Sequence, residues 1–397
     1  MQAINNQQQN KNNTIVGIIG SGAMGIGIAQ VAASAGFQVI LFDNNLSTLN
    51  LAKENLDSTL KKLVEKNKIT ALFAQEIINN IKFAREITEF NNCNLIIEAV
   101  IENLDVKQKL FSELELIVPL NCIIASNTSS FSITSIAAAC KSPERVIGIH
   151  FFNPAPLMPL VEIIPAITTK SEITTAAKNI IDLWGKVTVL VKDTPGFIVN
   201  RLARSFYGEA IRIYEEGIAD FATIDWSMKT LGAFKMGPFE LMDFIGNDIN
   251  YKVTESVWTQ FFYEPRFKPS LTQKRMFEAN WFGRKTGRGY YNYAQGHVPP
   301  SPIIDEKLNT YIFDRIIAML VNEAIDSFYL QLASKEDLDL AMIKGVNYPK
   351  GLLKWADDLG LQNVLDTLNN LYQLYNEDRY RPSVLLKTMV QNKKTFY

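Results

Sequence analysis

The sequence predicts an α/β protein: a doubly wound, largely parallel sheet followed by all-α C-terminal regions. Three observations predict it. From Thr14, short and nearly continuous apolar runs alternate with amphipathic stretches, as expected of strands covered on both faces by helices. A glycine-rich turn follows the first run directly. After "VKDTPGF" the strand-like runs stop, and from residue 197 helical patterns dominate. At 397 residues the chain exceeds what one ordinary core supports, so several domains are expected.

The opening "MQAINNQQQNKNN" has no hydrophobic segment, is not a signal peptide, and reads as a disordered polar tail over residues 1–13. "TIVGIIG", "FQVILFD", "NLIIEAV", "CIIAS", "VIGIHFF", "LVEIIP" and "KVTVLV" read as strands of one domain over 14–192. Between Leu46 and Phe83 a long helical stretch is expected, with Leu56, Leu60, Leu63 and Val64 as its apolar stripe and Lys61, Lys62 and Lys66 away from it. A helical domain is expected over 193–296. The proline-rich "HVPPSP" breaks the chain before a second helical domain over 300–397. That last segment reads as a diverged copy at an offset of 114. Arg201, Glu209, Ala210, Asp225, Gly237, Asp243 and Gly246 recur as Arg315, Glu323, Ala324, Asp339, Gly351, Asp357 and Gly360.

A net charge of −1 gives no electrostatic case for nucleic acid or an anionic membrane, and no apolar run reaches the roughly 18 residues of a spanning helix. Three cysteines, Cys93, Cys122 and Cys140, form neither an even set nor a metal-ligand pair. Such usage suits a reducing compartment, and the expectation is a cytoplasmic protein without bound metal.

Gly20, Gly22 and Gly25 have Gly-x-Gly-x-x-Gly spacing between a strand and a helix. The first permits the tight turn, the second lets a pyrophosphate approach the backbone, and the third lets helix and strand pack closely. The phosphates would rest on the unpaired N–H groups of the helix start. Asp43 ends the next strand, 18 residues past Gly25, where an acid accepts hydrogen bonds from ribose hydroxyls. Asn44 and Asn45 follow it with no arginine for a 2′-phosphate, which favours NAD over NADP. This is the pattern of a Rossmann-type domain.

Ligands of such sheets bind beyond the carboxyl ends of the strands. Placed there are Glu102 and Lys107, then Ser126, Asn127, Ser129 and Ser130, then His150 with Asn153. Only two histidines occur in the chain, and His150 sits in an apolar strand with the lone acid Glu162 on the next one. Hydride transfer to or from an alcohol needs a base for the hydroxyl proton, and imidazole titrates near neutrality. Glu162 would hold one ring nitrogen, fix the tautomer and stabilise the imidazolium. His297, in the proline-rich break, reads as a solvated loop residue.

"GSGAMGIGIAQ", "EAVIENLDVK", "SNTSSF", "HFFNPAPLMPLVEII", "DTPGFIVNR", "GPFELMDFIG" and "FGRKTGRGYY" occur in this order. Through them the chain resembles the L-3-hydroxyacyl-CoA dehydrogenase family, including 3-hydroxybutyryl-CoA dehydrogenases, over nearly everything after residue 13. The resemblance implies an NAD-dependent oxidoreductase of acyl-CoA metabolism with His150 as base and Glu162 as its partner. It further implies that Ser129 and Asn200 hydrogen-bond the substrate, and that Gly20, Gly22, Ala23, Met24, Gly25, Asp43, Glu102, Lys107, Asn153 and Lys285 line the NAD site. Lys66 would meet a coenzyme A phosphate. The extra helical copy departs from the short family form. It is expected to serve as a built-in partner, giving either an internal pseudo-dimer within one chain or a homodimer. A dehydrogenase of a free hydroxy or sugar acid, and a non-catalytic dinucleotide-binding protein, remain the alternatives.

Overall fold

A computed structural model describes residues 14–397; the stretch expected as a disordered tail, 1–13, lies outside the described residues. The chain divides into two compact units after Asp193.

The first unit contains strands β1 (Ile15–Ile19), β2 (Gln38–Phe42), β3 (Ile81–Ala84), β4 (Leu95–Glu98), β5 (Ile123–Ser126), β6 (Val146–Phe151), β7 (Leu160–Pro165) and β8 (Val187–Leu190). They form one sheet in the order β3-β2-β1-β4-β5-β6-β7-β8. Every neighbouring pair is parallel except β6 and β7, which run antiparallel. Helices α1 (Ala23–Ser34), α2 (Leu46–Glu65), α3 (Ala71–Asn79), α4 (Leu104–Ile117), α5 (Ile133–Ala137) and α6 (Ser171–Leu183) make the connections. Ile18, Leu41, Ile97, Ala125 and Ile149 are buried in the core, together with Ile28 and Ala29 of α1. The chain winds outward from β1 to β3 and returns beyond β1 to β4. The crevice therefore opens where β1 and β4 end.

One expectation is corrected here. The stretch from Leu46 to Phe83 is not helical throughout: α2 ends at Glu65, α3 spans Ala71–Asn79, and Ile81–Ala84 is strand β3. Within "IKFA" only Ile81 and Ala84 are buried, while Lys82 turns outward to Glu89 at 2.8 Å. Four residues at a sheet edge carry too little alternation to announce a strand. Pairing with β2 makes it one.

The second unit is all helical: α7 (Val199–Leu202), α8 (Arg204–Glu215), α9 (Phe221–Gly232), α10 (Pro238–Ile245), α11 (Asn247–Gln260), α12 (Leu271–Glu278), α13 (Glu306–Tyr329), α14 (Lys335–Gly345), α15 (Leu352–Leu359), α16 (Leu361–Tyr375) and α17 (Val384–Gln391). The stretches 193–296 and 300–397, expected as separate domains, share this unit from Thr194 onward. Helix α13 is buried on most sides beyond its first turns, and its buried residues include the charged Arg315 and Glu323.

The offset of 114 has a structural meaning. Arg201 Nε meets Glu323 at 2.7 Å, and its counterpart Arg315 meets Glu209, the counterpart of Glu323, at 2.5 Å. Arg266 adds a second contact to Glu323, and Tyr380, at the same offset, adds one to Glu209. Asp225 accepts from the N–H groups of Phe239 and Glu240 at the start of α10, and Asp339 does the same for Leu353 and Lys354 at the start of α15. A Cβ on Gly237 or Gly351 would lie within 2.4 or 2.1 Å of those aspartates, so both turns demand glycine. Each copy thus supplies the carboxylate that neutralises the other copy's arginine.

Removing one partner from such a buried pair leaves the other charge uncompensated. Arg315→Met is expected to lower the unfolding free energy by about 3 kcal/mol in urea titrations. Lys354→Met, from an exposed pair on α15, should leave the unfolding midpoint unchanged. Equal midpoints for the two variants would contradict this reading.

Candidate active site

The glycine turn caps α1. Gly20 has φ +93°, and a Cβ there would stand 2.5 Å from the Ala99 carbonyl oxygen. A Cβ on Gly25 would overlap the Gly20 carbonyl oxygen at 1.8 Å, whereas one on Gly22 would meet nothing within 4 Å. Strand and helix therefore touch at Gly20 and Gly25, while the backbone at Gly22 faces open space. Gly22 is the N-cap of α1 and brings no capping side chain, so the N–H groups of the first turn, at Ala23 and Met24, are left for an anion. Asp43 accepts from Ser21 N at 2.8 Å and Ser21 Oγ at 2.9 Å through Oδ2, and from Asn45 N at 2.9 Å through Oδ1. These bonds fix its carboxylate beside the turn and leave lone pairs for a ribose. Asn45 caps α2 through Ser47 N and Thr48 N. These residues fit a dinucleotide.

At the end of β4 lies a buried chain of charges that the sequence reading missed at its centre. Glu98, fully buried, holds Lys107 Nζ at 2.6 Å, Ser126 Oγ at 2.6 Å and Val100 N at 2.7 Å. The same Lys107 ammonium reaches Glu102 at 3.0 Å. Glu102 in turn accepts from Thr128 Oγ1 at 2.5 Å, Ser130 Oγ at 2.7 Å and Ser129 N at 3.1 Å. Partial burial pushes the Glu102 carboxyl up. The charge of Lys107 and the two hydroxyls outweigh it, holding the group below the ordinary glutamate range. The effect is to pin the loop that carries Ser129. Asn127 ties the same loop to β6 by accepting from Phe151 N at 2.8 Å. Glu98 was visible as a lone acid in an apolar run, the signal that picked out Glu162.

His150 and Glu162 face each other as register partners across the antiparallel β6–β7 pair. Their side chains meet through Nδ1 and Oε2 at 2.7 Å, with residue exposures of 6% and 0%. A carboxylate bonded to Nδ1 selects the tautomer with a proton there and puts the lone pair of the ring on Nε2. Phe152 packs against the imidazole, with ring centroids 4.6 Å apart. Asn153, just past the strand, is exposed.

Comparison with known proteins bears on the family and the fold. The NAD-binding domain of 3-hydroxyacyl-CoA dehydrogenase matches residues 15–194, and its C-terminal domain matches twice, at 196–293 and 311–395. The chain belongs to the 3-hydroxyacyl-CoA dehydrogenase family. It is 36% identical to 3-hydroxyadipyl-CoA dehydrogenase of Escherichia coli, across 94% of this chain and 96% of that one. It is 40% identical to 3-hydroxybutyryl-CoA dehydrogenase of Bradyrhizobium diazoefficiens, across 72% and 97%. A crystal structure of 3-hydroxybutyryl-CoA dehydrogenase from Escherichia coli aligns with a TM-score of 0.90 at 34% identity, covering 96% of this chain and 99% of the other. The resemblance read from the sequence is borne out: this member of the 3-hydroxyacyl-CoA dehydrogenase family is an NAD-dependent oxidoreductase with a Rossmann-type sheet.

Two of the expected site residues lie in the second unit of this family member. Asn200 is half-buried on α7, and Lys285 pairs with Asp248 at 2.5 Å. Lys66 follows the last turn of α2 and is exposed, as are Lys61 and Lys62. Among the described residues no helix is long and apolar enough to cross a membrane. The three cysteines are buried and free, and burial pushes the thiols of Cys93 and Cys122 up to about 12.

The contrast between the glycines yields a test. Gly22→Val should melt within about 2 °C of the wild type yet bind NADH about tenfold more weakly by fluorescence titration. Gly25→Val should fail to fold. Unchanged NADH affinity in Gly22→Val would contradict the assignment of the cradle.

Proposed function

We propose that the protein interconverts an L-3-hydroxyacyl-CoA and the corresponding 3-oxoacyl-CoA, with His150 as the general base. The observation that carries this reading is the buried 2.7 Å contact between His150 Nδ1 and Glu162. NAD, when bound, supplies the hydride acceptor. His150 Nε2 takes the hydroxyl proton as the C3 hydrogen leaves with its electron pair, and returns it in the reverse direction. Glu162 keeps the ring in the required tautomer and balances the imidazolium charge. Ser129 and Asn200 hydrogen-bond the 3-oxygen and hold the carbon in line for transfer, so that bound geometry replaces a chance encounter.

In the same reading, Ala23 and Met24 present their N–H groups to the pyrophosphate and Asp43 receives the ribose. Glu102, Lys107, Asn153 and Lys285 line the remainder of the cofactor site. Lys66 on the exposed face of the α2 arm meets a coenzyme A phosphate. The thioester is favoured over a free acid because relatives across nearly the whole length are dehydrogenases of 3-hydroxyadipyl-CoA and 3-hydroxybutyryl-CoA. Free cysteines support a reducing, cytoplasmic setting.

We further propose that residues 300–397 are a built-in partner for the first helical copy and carry no second active site. The reciprocal Arg201–Glu323 and Arg315–Glu209 pairs support this, because the self-complementary contact of a two-fold dimer is made inside one chain. Light scattering should give a monomer. A dimer joined through both copies in trans would contradict it.

The decisive assay follows NADH absorbance. Oxidation is expected with acetoacetyl-CoA and not with free acetoacetate or gulonate. His150→Gln should lower kcat by about a thousandfold. Turnover of a free acid in preference to the thioester would overturn the substrate assignment. Silence with all three would overturn the enzyme reading.

A further inference from the structure

The loop that joins β6 to β7 runs from Phe152 to Pro159, between the strand of His150 and the strand of Glu162. It is a tight turn, with Leu157 N and Met158 N both donating to the Pro154 carbonyl at 3.0 Å. Two neighbours hold it. On one side lies α1. A Cβ on Gly27 would meet Ala155 Cβ and Pro156 Cδ at 3.3 Å each, so glycine lets the loop approach the helix closely. Gly27 stands about one turn after Ala23, the first residue of that helix.

On the other side stands Lys186, one residue before β8. Its ammonium donates to the Ala155 carbonyl at 2.5 Å and to the Met158 carbonyl at 2.7 Å. Val187 N, next in the chain, donates to the Pro159 carbonyl at 2.8 Å. The side chain is half-buried, and burial draws its pKa below the ordinary lysine range. Among the described residues no carboxylate pairs with it, whereas the buried Lys107 has both Glu98 and Glu102. A cation drawn out of water without an acid is costly, and here its partners are two carbonyls of one loop. An ammonium offers three donors and no acceptor, which suits it to gathering carbonyls that converge.

We infer that Lys186 is a positioning residue: it holds the β6–β7 loop against α1, so that the cofactor helix and the His150 strand share one frame. This rests on the dehydrogenase reading, in which Asn153 of that loop lines the cofactor site and His150 takes the hydroxyl proton. Lys186 is given no part in binding or chemistry; its effect passes through the loop. Hydride transfer needs the nicotinamide carbon, the substrate carbon and the imidazole aligned at once, and a misplacement of about 1 Å can cost about 100-fold in rate. Without the ammonium the loop keeps its ends on β6 and β7 but loses the two bonds that fix its middle. The nicotinamide end of the cofactor then gains freedom relative to the base. Ser129 and Asn200, proposed to meet the acyl-CoA, lie on other elements and keep their places.

The test uses the purified full chain with NADH and acetoacetyl-CoA, with rates taken per NADH-binding site so that misfolded protein is not counted. Lys186→Met should lower kcat about tenfold and weaken NADH binding about fivefold by fluorescence titration, with the KM of acetoacetyl-CoA within about twofold of the wild type. Lys186→Arg, which keeps the charge and the donors, should restore kcat to within about threefold. Gly27→Ala leaves Lys186 in place and presses on the same loop from α1, and should repeat the pattern at about threefold in kcat. A lower melting temperature in Lys186→Met with unchanged kcat and NADH affinity makes the residue structural only and overturns the inference. A loss that falls on the KM of acetoacetyl-CoA alone does the same. Wild-type kcat in Gly27→Ala overturns it too, including where Lys186→Met fails to fold. If the wild type leaves acetoacetyl-CoA unreduced, the dehydrogenase reading falls and the NADH titration still decides, because equal affinities of wild type and Lys186→Met overturn the inference.

Discussion

The protein depends on a register. In a sheet that is otherwise parallel, β6 and β7 run antiparallel, and that single reversal sets His150 opposite Glu162. Directly opposed residues of such a pair have Cβ atoms about 4.5–5.5 Å apart, which is within reach of an imidazole–carboxylate hydrogen bond. A one-residue slip of either strand would turn the side chain on that strand to the other face and part the pair. Apolar neighbours make such a slip costly: Ile147, Ile149, Val161 and Ile163 are all buried in the core. Burying a carboxylate without a partner is severely unfavourable, so the fold needs the pair as much as the chemistry does. The strands are rigid because they are buried, and the imidazole is aimed because the strands are rigid.

The same economy governs the loops around it. Glu98 closes β4 by gathering an ammonium, a hydroxyl and an amide, and Glu102 passes that order to the loop of Ser129. Asp193 caps α5 through Ile133 N and Thr134 N and also accepts from Ser132 Oγ. In the second unit, reciprocal ion pairs do for two helical copies what the strand register does for the sheet. Each is a buried charge whose ion-pair partners lie on other elements, so association is specific as well as favourable. Departures from the symmetry are informative. The offset counterpart of Asn200 is Asp314. The repeat keeps its structural acids and glycines and loses the residue proposed to meet the substrate.

Much of this was legible in the sequence because it rests on local rules. The glycine spacing, the strand-end Asp43 and the isolated His150 and Glu162 each stand out against an apolar background. The repeat shows through Asp225, Gly237 and Gly246 because backbone geometry tolerates no substitute there. Other features were hidden for physical reasons. Strand β3 exists through its pairing, not its composition. Tyr291 and Tyr397 play equivalent parts, each donating its N–H to Asp243 or Asp357 and its hydroxyl to Asp225 or Asp339. Their spacing departs from the offset of 114, because the chain between is shorter in the second copy.

A double-mutant cycle on kcat with acetoacetyl-CoA and NADH tests the central pair most directly. The rates of His150→Gln, Glu162→Gln and the double variant are compared with the wild type. If Glu162 acts only through His150, its removal costs rate in the wild-type background and nothing further once His150 is gone. The double variant should then be no slower than His150→Gln. Losses that add in full would mean that the two groups work independently, and the account built on their contact would be wrong.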